Sequence, residues 1–129
     1  MRNIRFRAWD NLNKTMVYDT YPKGLSSSDI LARWENEWVM QFTGLNDKNG
    51  KEIYEGDLLQ FADDKDAHYE VFYHDYEAKF SCARTHFHGN RAGGYIPPIT
   101  SKMLHVVGNI YQNEELLASP TTGERKEEG

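Results

Sequence analysis

The chain has 129 residues, with 20 Asp or Glu against 15 Lys or Arg, and a formal net charge of -5. This length allows one domain with a core and is too short for two independent domains of ordinary size. The negative charge gives no overall attraction to nucleic acid or anionic lipid, so a surface for either would have to be local. A single cysteine excludes an internal disulfide, and no apolar run approaches the roughly 20 residues needed to cross a bilayer. We therefore expect a soluble, cytoplasmic protein without a membrane partner.

Alternating apolar and polar residues predict short antiparallel strands in the first third of the chain. Residues 4–9 and 15–18 flank a polar turn, so we expect a hairpin in which Arg5 and Arg7 share one face. On that face the two arginines either meet water or bind a phosphate. A helix of two turns or fewer is predicted from Ile30 onward, because several serines that can cap it come just before.

Residues 35–42 alternate with a period of two, which places Trp38, Met40 and Phe42 on one side of a predicted strand. This strand enters the central run, residues 40–57, where a tight turn leads to a second strand. Asn49 and Gly50 supply the positive φ values that a tight turn needs, and Gly56 with Asp57 can bend the chain before the next strand. Folding alone accounts for these residues, so we do not assign them a catalytic role. The positions predicted to shape the fold are Gly44, Asn49, Gly50, Gly56, Asp57 and Gly108.

The second half of the chain is predicted to contain a further hairpin and a closing strand. Residues 68–73 and 78–83 alternate and form the hairpin, while residues 103–111 form the last strand with a bulge at Gly108. The acidic loop at 63–66 lacks the glycine and the final glutamate of a calcium-binding loop, so we interpret it as a solvated turn.

Acidic residues are absent between Ser81 and Asn113, although the chain as a whole is acidic. If this segment folds onto one face, its cationic side chains would form a basic patch able to meet a phosphate or an acidic partner. The arginines of the first strand are candidates for the same contact. The candidate anion-contact residues are Arg5, Arg7, Arg84, His86, His88, Arg91 and Lys102.

One metal-ligand pattern lies inside this segment. Cys82, His86 and His88 are separated by even numbers of residues, four and two, so on a strand their side chains would point to the same side. No second ligand cluster closes a tetrahedral site. The alternative is that the histidines belong to a polar strand or loop and that Cys82 packs as a small apolar residue. We predict no cofactor and no bound metal, with this trio as the weaker alternative.

Three segments carry recognisable motifs: the first strand at 4–10, the central run at 40–57 with its Tyr-Glu-Gly-Asp sequence, and the Gly-Asn-Ile-Tyr run within 107–117. In this order and spacing they resemble the YopX family of phage and prophage proteins. The resemblance implies a β-rich, barrel-like fold and an origin in a bacteriophage or prophage, hence a bacterial host cell. It implies no enzymatic activity that can be assigned to named residues.

We predict a mainly β fold, in which antiparallel strands form one or two small barrel-like sheets, SH3-like in kind, with one or two short helices. A single domain is expected at 1–117, made of an N-terminal hairpin layer (1–45) and a small barrel (46–117). Residues 118–129 are expected to be a disordered tail, because they combine proline, glycine and mixed charge.

The function predicted from the sequence is non-enzymatic, because no nucleophile with a base and no pair of catalytic carboxylates is evident. The first hypothesis is a binding or regulatory protein whose partner is a host or phage protein. The second is a homo-oligomeric assembly protein, since small sheets must cover their edges. The third is a small barrel that binds nucleic acid through the basic patch.

Overall fold

The computed structural model describes residues 4–85 and 97–117, which form two four-stranded antiparallel sheets. The strands are β1 (Phe6–Asp10), β2 (Thr15–Tyr18), β3 (Val39–Asn46), β4 (Glu52–Tyr54), β5 (Asp57–Phe61), β6 (His68–His74), β7 (Lys79–Arg84) and β8 (Leu104–Asn109). The first sheet has the order β2-β1-β3-β4 and the second β7-β6-β5-β8. The prediction of a mainly β fold built from antiparallel sheets is confirmed.

The N-terminal hairpin and the short helix form as predicted, with one difference in the helix boundary. Strands β1 and β2 pair with Arg7 opposite Tyr18. Helix α1 (Ser27–Arg33) begins before Ile30, because Ser26 and Asp29 cap it reciprocally through side-chain and backbone hydrogen bonds. No helix in residues 4–85 or 97–117 has the length and apolar character needed to span a membrane.

The third strand begins at Val39, four residues later than the predicted start at Glu35, because Asn36–Trp38 form a short 3-10 helix. Of the three residues predicted to share one side, Met40 and Phe42 are buried in β3, while Trp38 precedes the strand and is half-buried. The turn that follows has Gly50 at φ +85°, as predicted, but Asn49 does not adopt a positive φ, so that part of the prediction is wrong.

The chain passes from the first sheet to the second at Glu55 and Gly56. Gly56 adopts φ +85°, its N–H donates to the Val71 carbonyl, and its own carbonyl accepts from Ile110. The predicted bend at this glycine is confirmed. Strand β4 pairs with β3, so the first sheet ends at Tyr54 and the second begins with β5.

The second sheet supplies most of one buried apolar cluster. A bulge shifts the pairing of β5 with β8, so that Leu58 lies opposite Gly108 while Leu59 lies opposite Val106. The predicted bulge in the last strand is thereby confirmed. The buried cluster comprises Ile53, Leu59, Ala67, Tyr69, Val71, Cys82 and Leu104. Because Ile53 belongs to β4, this core also packs against the first sheet.

Candidate functional site

Arg5, just before β1, and Arg7, within β1, do not share a solvated face. Arg7 is only 2% exposed, and its Nη2 donates to Asp57 Oδ1 at 2.9 Å. The expectation that Arg7 faces solvent is wrong, because β1 lies inside its sheet and Phe6 to Asp10 are covered on both faces. Arg5 is part-buried and its Nη1 donates to Glu52 Oε1 at 3.1 Å, with a second contact between the same two groups.

The other candidate cations lie elsewhere. Arg84, at the end of β7, donates to the Asp66 carbonyl at 3.2 Å and stacks over the Tyr69 ring at 5.7 Å. Lys102 is exposed in the loop before β8. The remaining candidates, His86, His88 and Arg91, lie outside the described residues. The described cations therefore belong to two different sheets, and a continuous basic patch stays a prediction.

Cys82 lies in the core of the second sheet. It is 2% exposed and its Sγ donates to the Pro97 carbonyl at 3.4 Å. Burial raises the pKa of its thiol to about 11, so the thiolate that binds metals or attacks substrates is disfavoured at neutral pH. In the part of the chain that the structure describes, no group of three His, Cys, Asp or Glu residues could hold a metal ion. His86 and His88 of the predicted trio are outside that part.

The candidate site is a depression between the two sheets, mostly polar in its smaller part and mostly apolar in its larger part, which we call the intersheet cleft. It consists of two adjoining parts with volumes of about 210 Å³ and about 280 Å³, which share three lining residues, Arg7, Tyr18 and Lys51. The smaller part is also lined by Asp57, Asn109, Gln112 and Asn113, and the larger by Glu52 and Tyr54. The cleft thus brings together β1, β2, β5, β8 and the turn before β4.

Arg7 and two tyrosines form one wall of the intersheet cleft. The guanidinium lies 4.6 Å from the centre of the Tyr54 ring and 5.8 Å from that of Tyr18. Its Nη1 also donates to the Tyr18 hydroxyl at 3.4 Å. Burial, reinforced by the Glu52 carboxylate, raises the pKa of Tyr54 to about 12, so this phenol stays neutral. Tyr18 is 41% exposed and is the tyrosine of this wall that a ligand can reach.

Three amide side chains after the bulge of β8 form the opposite rim. The Asn109 backbone N–H donates to Asn113 Oδ1 at 3.0 Å, while Asn109 Nδ2 donates to Gln112 Oε1 at 2.8 Å. Gly108 makes this arrangement possible, because a Cβ there would lie 2.3 Å from Asn113 Oδ1. A side chain at this position would push Asn113 out of place.

Asp47 holds the turn that carries Lys51 against the second sheet. Its Oδ1 accepts from the backbone N–H groups of Asn49 at 2.8 Å and Lys51 at 2.9 Å. Its Oδ2 accepts from the N–H of Val106 in β8 at 2.9 Å. One carboxylate therefore fixes the turn of the first sheet to the edge strand of the second, which places Lys51 at the intersheet cleft.

Two other depressions lie on the described surface. A groove of about 740 Å³ runs between β3 and the β6–β7 hairpin, beside Tyr73 and Phe80, and a hollow of about 340 Å³ lies beside the stacked rings of Trp9 and Tyr111. Three buried side-chain nitrogens lack a hydrogen-bond partner among the described residues: Arg7 Nε, Arg84 Nε and His105 Nδ1. None of these residues lines either depression. The intersheet cleft is lined by one such residue, Arg7, whose Nε is unpartnered.

Sequence reasoning missed Tyr18, Lys51, Gln112 and Asn113 as site residues. Lys51 follows the Asn-Gly turn, and the amides follow the bulge at Gly108, so the sequence predicted a turn or bulge next to each of them. No local pattern, however, reports that the turn before β4 and the segment after β8 come together.

The fold and the cleft define a mainly β protein in which two antiparallel sheets meet at a depression. The model of the YopX protein family matches residues 5–118, so the chain belongs to the YopX family and the resemblance is confirmed. The chain is also similar to the crystal structure of protein EF1440 from Enterococcus faecalis, with 26% identity and a TM-score of 0.59. That match covers 92% of this chain and 100% of the other. No curated protein matches the chain.

Proposed function

We propose that the chain is a non-enzymatic binding protein whose ligand site is the intersheet cleft. The observation that carries this proposal is Arg7, a charged side chain that is 2% exposed and lines both parts of the cleft. Its Nε has no hydrogen-bond partner among the described residues. A buried polar atom without a hydrogen-bond partner lowers stability by about 1–3 kcal/mol. Because Arg7 has such an atom beside an open cleft, we infer that Arg7 serves ligand binding as well as folding.

The setting of Arg7 supports binding through a preformed site. Asp57 holds the guanidinium on one side and the Tyr54 ring covers it on another, so the wall of the cleft is fixed before a ligand arrives. Preorganised polar groups lose little entropy on binding, which favours affinity. The exposed Tyr18 ring beside them gives the ligand an apolar contact.

The same geometry supports a non-catalytic role. The carboxylates of the cleft, Asp57 and Glu52, are both engaged by arginines. A general base or nucleophile would need a lone pair directed at a substrate. Cys82, the one thiol of the chain, lies in the core and has a raised pKa. Self-association and nucleic-acid binding stay predictions.

The proposal can be tested by incubating the purified full chain with a deproteinised extract of bacterial small molecules and analysing the complex by native mass spectrometry. We expect a compound retained by the wild-type chain and lost from Tyr18→Ala. Tyr76→Ala is the matched control, because Tyr76 is 98% exposed and lines none of the three depressions. Circular dichroism would verify that both variants are folded.

The retained compound should be recovered chemically unchanged after prolonged incubation. Conversion of the compound to a product would refute the non-enzymatic role. Equal retention by wild type, Tyr18→Ala and Tyr76→Ala would show that binding does not use the intersheet cleft.

A further inference from the structure

The carboxylates that line the intersheet cleft are already occupied by protein donors. Asp57 accepts from Arg7 at 2.9 Å through one oxygen and from the Tyr54 N–H at 2.8 Å through the other. Both oxygens of Glu52 accept from Arg5. Each of these carboxylate oxygens therefore already accepts a hydrogen bond from the protein before a ligand enters the cleft.

The amide oxygens of the cleft also accept hydrogen bonds from the protein itself. Asn109 Oδ1 accepts from the backbone N–H groups of Tyr111 at 3.0 Å and Gln112 at 2.9 Å. Gln112 Oε1 and Asn113 Oδ1 each accept from Asn109, at 2.8 Å and 3.0 Å. Because the hydrogen bonds that these oxygens accept fix the orientation of the three amides, the NH₂ groups of Gln112 and Asn113 are the ends left for a ligand.

The donors, by contrast, remain available. Within residues 4–85 and 97–117, no acceptor is found for the Lys51 ammonium, the NH₂ groups of Gln112 and Asn113 or the hydroxyl proton of Tyr18. Arg7 Nε–H, which also has no partner among the described residues, is buried in the wall behind them and is not counted among these donors. The cleft therefore offers an excess of hydrogen-bond donors over acceptors, which is the complement of an anion.

The charges point the same way. Arg7 pairs with Asp57, and Glu52 pairs with Arg5 outside the cleft, so Lys51 is the charged lining residue that makes no ion pair within the described residues. Lys51 influences the carboxyl group of Asp57, which also lines the cleft. Burial raises the pKa of Asp57, and the positive charges of Arg7 and Lys51 oppose that rise. Lys51 is therefore the lining cation that can meet an anionic ligand without first giving up an ion pair.

We propose that the intersheet cleft binds phosphate, as the free ion or as the monoester group of a small molecule. Lys51 supplies the charge, and the amides of Gln112 and Asn113 orient the oxygens. Phosphate matches several converging donors because it carries more acceptor oxygens than a carboxylate does. The two parts of the cleft, about 210 Å³ and about 280 Å³, suit a small group better than a drug-sized ligand. This inference rests on the proposed binding function of the cleft.

The test is a titration of the ¹⁵N-labelled full chain with inorganic phosphate at constant ionic strength, followed by two-dimensional NMR. We expect saturable shifts of the backbone amide of Lys51 and of the side-chain amides of Gln112 and Asn113. Lys51→Gln should weaken binding about tenfold, since it removes the principal charge. Lys48→Gln is the matched control, because this exposed lysine belongs to the same turn but lines neither part of the cleft. Its affinity should stay within twofold of wild type.

Equal weakening by the two lysine variants, or small shifts spread over the whole surface, would overturn the proposal in favour of nonspecific charge attraction. Acetate serves as the second probe, and acetate binding as tight as phosphate would overturn the phosphate assignment. Glycerol 3-phosphate separates the two sources of phosphate: tighter binding than inorganic phosphate supports a monoester ligand, and weaker binding supports the free ion.

The two proposals fail in different ways. If phosphate does not bind but the extract yields a compound whose retention depends on Tyr18, the phosphate assignment is wrong and the binding function stands. If neither phosphate nor any extract compound distinguishes the cleft variants from their controls, both proposals are wrong.

Discussion

Arg7 Nη2 donates to Asp57 Oδ1 at 2.9 Å, and this ion pair, with each side chain 3% exposed, joins the first sheet to the second. The same nitrogen donates to the Glu55 carbonyl at 3.1 Å, in the turn where the chain changes sheets. The second oxygen of Asp57 accepts from the Tyr54 N–H at 2.8 Å. The pair therefore holds the turn between β4 and β5 from both ends.

We expect Asp57→Ala to lower the free energy of unfolding by about 3–5 kcal/mol, because truncation leaves the Arg7 guanidinium buried without its counter-charge. Arg7→Ala should have a similar effect, and the double variant should lose less than the sum of the two. Urea denaturation measures all three. Lys79→Ala is the control, since Lys79 and Glu77 form an exposed pair at 3.3 Å that should contribute about 0.5 kcal/mol or less. Additive losses in the double variant would contradict a coupled pair.

Asp47 makes the stability of the chain sensitive to acid. Burial by itself raises the pKa of this carboxyl, but the backbone hydrogen bonds from Val106, Lys51 and Asn49 outweigh burial, and the pKa is lowered overall. A lowered folded-state pKa gives stability that is present above the unfolded value of about 4 and is lost as pH falls through the folded value.

Asp47→Asn should therefore be less stable than wild type at pH 7, by about 1–2 kcal/mol, because an amide oxygen is a weaker acceptor for three N–H groups. The difference should shrink as the pH falls below about 4, where wild type also loses the carboxylate. Unfolding in urea at pH 7 and pH 3 checks both statements. Asp63→Asn, in an exposed loop, should show no such convergence. A difference that grows toward low pH would refute the role given to Asp47.

Much of the fold could be predicted, because strand alternation and turn chemistry are local. The N-terminal hairpin, the Asn-Gly turn at Gly50, the bend at Gly56 and the bulge near Gly108 all follow from residues close in sequence. Each is fixed by backbone conformations that few residue types adopt without strain.

The burial of Arg7 could not be predicted, since alternation assumes that one face of a strand meets water. Strand β1 instead has a neighbour on each side and cover on both faces, and the charge of Arg7 is compensated by Asp57, 50 positions later. The intersheet cleft was hidden for the same reason. It depends on which strand edges meet. A contact between distant residues, such as that of Asp47 with Val106, does not change the alternation of apolar and polar residues from which strands are predicted.

Gly56 should tolerate alanine less well than Gly50, although both adopt φ +85°. At Gly50 nothing lies within 4 Å of an added Cβ, so the cost is backbone strain alone, about 1 kcal/mol. At Gly56 the Cβ would also lie 3.0 Å from the sulfur of the buried Met40, so we expect about 2 kcal/mol. Thermal and urea unfolding of the two single variants compare these costs. Equal losses would mean that Met40 moves aside freely and that only the backbone matters at this turn.

Glu70 offers a stabilising substitution. It lies on β6 between Leu58 of β5 and Ala83 of β7, is half-buried, and has no hydrogen-bond partner in the described segments. Burial raises the pKa of its carboxyl. A raised folded-state pKa means that ionisation favours the unfolded chain, so the carboxylate lowers stability once the pH exceeds its unfolded value of about 4.

Glu70→Gln should therefore raise the free energy of unfolding at pH 7 by about 0.5 kcal/mol, a modest gain because solvent screens a half-exposed group. Near pH 3.5 the gain should vanish, since the wild-type carboxyl is then largely neutral in both states. Glu35→Gln, at an exposed position, should change stability little at either pH. Urea unfolding at the two pH values decides the matter. A loss of stability in Glu70→Gln at pH 7 would mean that the carboxylate makes a favourable interaction that outweighs its burial, and Glu70 would then join Asp57 as a structural anion of the second sheet.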